Sequence, residues 1–223
     1  YALIAVQGPR SLDVLRDVVD VELEPVKYYA WYGGTAAGVP ALLARTGYTG
    51  EDGFELFVPS EQAPQVWQSV LKAGAEHGLV PCGLACRDTL RLEAGMPLYG
   101  QELTRDVTPY DAGLGRVVRL DKDGDFVGRG ALAERSTAVA TRTLVGLTGS
   151  GRRAPRTGYD VFSAQSPVGT VTSGAPSPTL GHPIAMAYVV PEHADPGTRL
   201  EVDVRGGREP VEVVTLPFYS RSR

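Results

Sequence analysis

The stretch Arg45-Thr-Gly-Tyr-Thr-Gly-Glu-Asp-Gly-Phe-Glu-Leu56 joins two apolar runs, Val39-Pro-Ala-Leu-Leu-Ala44 before it and Phe54-Glu-Leu-Phe-Val58 at its end. Two β-like runs linked by a glycine-rich polar segment read as a hairpin with a long loop. Gly47, Gly50 and Gly53 recur at three-residue spacing. Glycine admits positive φ and lets a neighbouring group approach the backbone closely. Glu55 falls inside the returning strand, and period-2 alternation sends it to the face opposite Phe54 and Leu56. An acid placed there either sits in water or meets a specific partner.

Upstream of the hairpin, Ala2–Val6 reads as a buried strand broken by Gly8-Pro9. Ser11 is a candidate N-cap for a helix reaching Val19, with Leu12, Leu15, Val18 and Val19 near helical spacing. Val26-Lys-Tyr-Tyr-Ala-Trp-Tyr32 is aromatic and β-prone, either a binding wall or a strand packing alternate aromatics into the core. Gly33-Gly34 is expected to turn the chain into the hairpin. Downstream, Ser60 is the expected cap of a helix whose stripe is Val66, Trp67, Val70, Leu71 and Ala75, ended by Gly78. A further helix is expected over Leu84–Ala94, closed by Gly95 and Pro97. On it Arg87 and Arg91 share a face, and Asp88 and Arg91 stand at i,i+3, the spacing of a surface ion pair. Arg87 is left free to serve a ligand. Arg116–Asp121 reads as a short alternating strand, and Phe126–Arg135 as a turn and a last helix.

Beyond residue 141 helical periodicity stops. Thr143–Leu147, Tyr159–Phe162, Val168–Thr172, Ile184–Val190, Arg199–Val204 and Val211–Leu216 are strand candidates separated by Gly, Pro, Ser or Asp turns. This pattern predicts a small antiparallel barrel or sandwich. The expected class is therefore α+β: a mixed α/β domain over 1–138, then a small all-β antiparallel barrel over 139–223, with the boundary near Thr137–Thr141.

The 223 residues carry a net charge of −4 and a pI of about 5.4. That balance argues against nucleic acid or an anionic membrane as partner, since both need a basic face. No apolar run approaches the ~20 residues of a membrane-spanning helix. Two cysteines, Cys82 and Cys86, are too few for a disulfide framework. They read as small buried residues, and a reducing cytoplasm is the expected location. His77, His182 and His193 are scattered, so no metal site is expected. The glycine loop lacks the Gly-Lys-Ser/Thr ending of a phosphate loop, and neither a dinucleotide fingerprint nor a hydrolase elbow is present. What the residues themselves offer is an acid on a strand, Glu55, and a guanidinium on a helix, Arg87. Together they suit a polar planar ligand.

Two motifs carry more. Arg45-Thr-Gly-Tyr-Thr-Gly-Glu-Asp-Gly-Phe-Glu55 and Arg87-Asp-Thr-Leu-Arg-Leu-Glu-Ala-Gly-Met-Pro-Leu-Tyr-Gly100 resemble signatures of the glycine cleavage system T-protein family, the aminomethyltransferases. Ala5-Val-Gln-Gly-Pro9, Phe126-Val-Gly-Arg129, Val171-Thr-Ser-Gly174 with Ser177-Pro-Thr-Leu-Gly181, and Leu216-Pro-Phe-Tyr219 match as well, in the family's order. The resemblance is to the C-terminal two-thirds of a family member. It implies a one-carbon enzyme of glycine catabolism: the methylene of an aminomethyl group on the lipoyl arm of H-protein passes to tetrahydrofolate, with release of ammonia. Lipoylated H-protein and folate are then the partners, and region 1–138 is part of the folate-binding region. It also implies that Glu55 bonds the pterin, whose 2-aminopyrimidinone edge presents two parallel N–H donors to a carboxylate. Arg87 matches the family's folate-binding arginine, meeting either a pterin oxygen or the folate carboxylates. Tyr219 matches a third substrate-binding position, with Tyr99 and Tyr48 as further candidates, and the barrel would close over the site. The family's catalytic aspartate is expected upstream of Tyr1. The 223-residue piece would then hold no catalytic residue and turn over little substrate by itself.

Three other readings compete. An iron–sulfur assembly relative carries Lys-Gly-Cys before the Tyr99 loop, where this chain has Met96-Pro-Leu98. The folate half of a sarcosine or dimethylglycine dehydrogenase would carry a dinucleotide-binding domain far upstream. A non-catalytic folate-binding module would bind without turnover.

Overall fold

A computed structural model describes residues 1–221. The chain divides into two compact units, one of Tyr1–Leu90 with the residues from Ser220, the other of Arg91–Tyr219.

The first unit is built on a four-stranded antiparallel sheet. Its strands are β1 (Ala2–Gln7), β2 (Trp31–Ala36), β3 (Val39–Ala44) and β4 (Gly53–Val58), in the order β1-β4-β3-β2. Alternation along β4 decides what is buried. Phe54, Leu56 and Val58 are 0% exposed and join Ile4, Val6 and Leu43 in the core, while Glu55 and Phe57 point to the other face. Helices α1 (Ser11–Arg16) and α2 (Ala63–Gly74) supply Val14, Leu15, Val66 and Val70 to that core. Of the predicted α2 stripe only Val66 and Val70 pack into the core: Trp67 is exposed, Leu71 is half-buried, and Ala75 lies exposed in the 3₁₀ turn after the helix. Gly78 ends this segment in the left-handed region at φ 74°.

Several local expectations fail here. Ser11 does not cap α1, whose N-cap is Arg10 with no side-chain bond. Ser11 is instead buried, and its hydroxyl donates to the Asp52 carbonyl. The helix stops at Arg16, because Val19 pairs with Ala36 as an isolated bridge. Ser60 opens a 3₁₀ turn, Ser60–Gln62, rather than capping α2. Val26–Tyr32 is not one strand. Tyr28 and Tyr29 lie in a turn with Tyr29 at φ 65°, and β2 begins only at Trp31. Gly33 and Gly34 sit within β2; the reversal is made by Ala37 and Gly38, both at positive φ, as a two-residue hairpin loop requires.

The second unit contains α4 (Arg129–Thr137) and six strands: β5 (Thr143–Gly149), β6 (Asp160–Ser163), β7 (Ser166–Pro176), β8 (Pro183–Val189), β9 (Arg199–Val204) and β10 (Gly207–Val214). All six match predicted runs. They close into an antiparallel barrel in the order β10-β5-β8-β7-β6-β9, which leaves no open sheet edge. Inward residues such as Leu147, Val161, Val171, Ala187, Val202 and Val213 fill it. Gly169 and Gly174 are obligatory for packing, since a Cβ at either would lie 2.2 Å from a backbone oxygen, of Tyr188 and Pro155 respectively. Arg116–Asp121 is not a strand; Gly115–Val117 forms a 3₁₀ turn.

Helix α3 (Leu84–Glu93) follows the predicted bounds to within a residue. Its C-terminal end is buried in the second unit, which overturns the surface reading of Arg91. Arg91 is 2% exposed and donates to Glu102 at 3.0 Å and to Ser173 at 2.8 Å. Glu102, 0% exposed, also accepts from Ser173 at 2.6 Å and from the Leu98 N–H at 2.9 Å. Tyr188 donates its hydroxyl to the Glu102 carbonyl, and burial pushes its phenol up to about 12. A second buried acid, Glu93, accepts from Ser177 and Thr179.

Candidate active site

Glu55 sits in the middle of the sheet's non-core face, paired with Ala5 of β1 and Ala44 of β3. Both neighbours end at Cβ, so the carboxylate rises above them. Thr46 donates its hydroxyl to Glu55 Oε2. A carboxylate has about four acceptor positions on its two oxygens, so this bond leaves capacity for a ligand.

Arg87, exposed in the first turns of α3, holds its guanidinium 5.0 Å from the centre of the Tyr48 ring. The face of an aromatic ring attracts a cation and restricts a side chain that would otherwise be free. Glu55, Arg87 and Tyr48 line one cavity of about 210 Å³ in the first unit. Gln7, Thr49, Trp67, Leu71, Leu79 and Cys82 complete its wall. Apolar walls with a few polar groups are what an aromatic heterocycle needs. Three of the five predicted positions therefore converge. The other two belong to the second unit. Tyr219 is half-buried and donates its N–H to the Glu93 carbonyl at 2.8 Å, and Tyr99 is 75% exposed beside an isolated bridge to Leu103.

The loop over this cavity is braced by its own charges. Arg45 grips Asp52 through two bonds of 3.0 and 2.6 Å and caps the Val26 carbonyl at 2.8 Å. Arg221 approaches the same carboxylate at 3.6 Å. The Arg45 bonds hold the Asp52 carboxyl below its ordinary range, against burial, which acts the other way. A carboxyl with a depressed folded pKa stabilises the fold at pH above its unfolded value of about 3.9, and the gain disappears as pH falls through the folded value. Asp52→Asn is accordingly expected to lower the melting temperature at pH 7 and to leave it nearly unchanged at pH 2, measured by circular dichroism.

Two expectations about cysteine and aromatics are corrected. Cys82 and Cys86 are both exposed rather than buried, because the start of α3 and the turn before it lie outside the core. Tyr28, Tyr29, Trp31 and Tyr32 are 46%, 77%, 63% and 52% exposed, so they do not pack alternately inward. Among the described residues no cluster of three or more His, Cys, Asp or Glu is placed to hold a metal, and no helix is long and apolar enough to cross a membrane. Residue-level reasoning missed Gln7 and Thr46. Gln7 ends a strand inside the quoted Ala5–Pro9 motif, and a polar residue there next to a glycine loop was the available signal.

Known proteins resemble this chain along its whole length. The GCVT N-terminal domain matches residues 1–122, and the glycine cleavage T-protein C-terminal barrel domain matches residues 142–220. The chain is 63% identical to an aminomethyltransferase of Streptomyces coelicolor over 227 aligned residues, covering 100% of this chain and 61% of that protein. It is 45% identical to an aminomethyltransferase of Bacillus mycoides, with 100% and 61% covered. It is also similar to the crystal structure of glycine cleavage system aminomethyltransferase T from Bartonella henselae, with a TM-score of 0.88 and 33% identity over 97% of this chain and 59% of that one. The chain thus spans 61% of the length of the curated relatives. With a domain match on each side of residues 123–141 and the expected barrel in the second, the chain belongs to the glycine cleavage T-protein family.

Proposed function

We propose that the protein carrying this chain is an aminomethyltransferase of the glycine cleavage system, acting on tetrahydrofolate and the lipoyl arm of H-protein. One observation carries the reading: the family's signature loop and helix bring Glu55, Arg87 and Tyr48 onto a single cavity of the first unit. The pterin edge donates two parallel N–H groups. A carboxylate fixed at the centre of a sheet is their natural acceptor, and charge-assisted pairs of this kind are the strong ones. Arg87 offers up to five donors to an oxygen of the folate. In this reading the folate N5 attacks the methylene carbon of the S–CH₂–NH₂ group, the amine leaves as ammonia, and the lipoyl sulfur recovers its hydrogen as N10 closes the ring. The residues of this cavity bind and orient the folate for that exchange, and Tyr219 and Tyr99 are proposed as further folate contacts. The domain boundary is proposed at 138/139, because the two family matches leave residues 123–141 between them.

The test is direct. Aminomethylated, lipoylated H-protein is mixed with the intact protein, with and without tetrahydrofolate, and ammonia and methylenetetrahydrofolate are measured. Stoichiometric appearance of both, only with folate present, is expected; folate-independent or absent turnover would refute the assignment.

A further inference from the structure

We infer that Gln7 is a positioning residue for Glu55, and that Gly47 and Gly53 are glycines in order to admit it. The inference rests on Glu55 being the folate contact. The side-chain amide of Gln7 reaches across the sheet from the end of β1. Its Nε2 donates to the Thr46 carbonyl and to the Phe54 carbonyl, each at 3.2 Å. Those two residues hold Glu55. Phe54 precedes it in β4, and Thr46 gives it a hydroxyl bond. One amide of β1 therefore ties the segment that follows β3 to β4, the two pieces of chain that flank the carboxylate.

The glycines follow from this. A Cβ at Gly47 would lie 1.9 Å from Gln7 Oε1, and one at Gly53 would lie 2.4 Å from it. Contacts so short are impossible, so any side chain at either position expels the amide. Neither glycine has a positive φ; Gly50, at φ 79°, is the one that the turn itself requires. The three glycines of the loop thus have two causes, conformational for Gly50 and steric for Gly47 and Gly53.

The orientation of the amide is also determined. Its two neighbours within bonding distance are carbonyls, which only Nε2 can satisfy. Oε1 is left against the two glycine Cα atoms, and it is the one buried side-chain polar atom among the described residues without a hydrogen-bond partner. A buried acceptor left unpaired costs free energy. It is tolerated here because the other end of the same amide holds the site together. Gln7 lines the cavity as well, which places the brace directly beside the residue it positions.

A double-mutant cycle in the intact protein tests this, read as the dissociation constant of tetrahydrofolate, with melting curves as a check on folding. Gln7→Met keeps the bulk and removes the donor. It should weaken folate about tenfold, the loss expected for two modest hydrogen bonds, and should cost nothing further in a Glu55→Gln background. Gly47→Ala displaces the amide without deleting it. It should reproduce the tenfold loss in the native background and be silent in a Gln7→Ala background. If Glu55→Gln weakens folate but Gln7→Met does not, or costs the same in both backgrounds, Gln7 does not act through Glu55 and the inference fails alone. If Gly47→Ala binds folate normally, the steric argument fails. If Glu55→Gln itself binds normally, both the inference and the folate assignment of Glu55 fall.

Discussion

Glu102→Ala is expected to lower stability by about 3–5 kcal/mol, the usual cost of stranding one member of a buried ion pair. Arg91 is 2% exposed and Glu102 0%, so neither can recover its lost partner by turning to water. The carboxylate also serves more than the arginine. It accepts from Ser173 in β7 and from the Leu98 N–H, and the residue's carbonyl receives Tyr188 of β8. Removing it orphans donors from α3, the loop after it and the barrel together. Replacing the pair as Arg91→Met/Glu102→Leu should cost markedly less than the sum of the single changes, since no isolated charge remains buried. Urea unfolding followed by far-ultraviolet circular dichroism checks both statements. Additive losses would mean that the ion pair is not the organising element of this region.

The second large effect concerns binding. Glu55→Ala is expected to weaken tetrahydrofolate by about 3 kcal/mol, roughly a hundredfold, because two charge-assisted bonds to the pterin lose their acceptor. Stability should change far less, since Glu55 contributes nothing to the apolar core and stands on the sheet's other face. Glu55→Gln is the sharper variant. It keeps size and shape, but it replaces one acceptor oxygen by an amide NH₂, a donor set against the pterin donors.

What the sequence made legible were features with a local period. The six barrel strands showed because short β-prone runs are punctuated by turns, and α2 showed because Val66 and Val70 recur at helical spacing. Glu55 could be assigned to its face by alternation alone. The failures share a cause of another kind. Gln7 meets partners 39 and 47 residues away, and no window of sequence contains them. Arg91 looked like half of an i,i+3 surface pair until its Ser173 contact, 82 residues distant, showed it to be buried. The glycines of the Arg45–Leu56 loop were visible, but the reason for two of them lies in a side chain from another strand. In the same way Tyr28 and Tyr29 had the composition of a strand, and the bond from the Tyr29 N–H to the Arg45 carbonyl put them in a turn instead.

Whether Glu55 reads the pterin is decided by anaerobic calorimetric titration of tetrahydrofolate into the intact protein and its Glu55→Gln variant. A roughly hundredfold higher dissociation constant is expected for the variant, with an unchanged melting temperature. Equal dissociation constants in two equally folded proteins would contradict it.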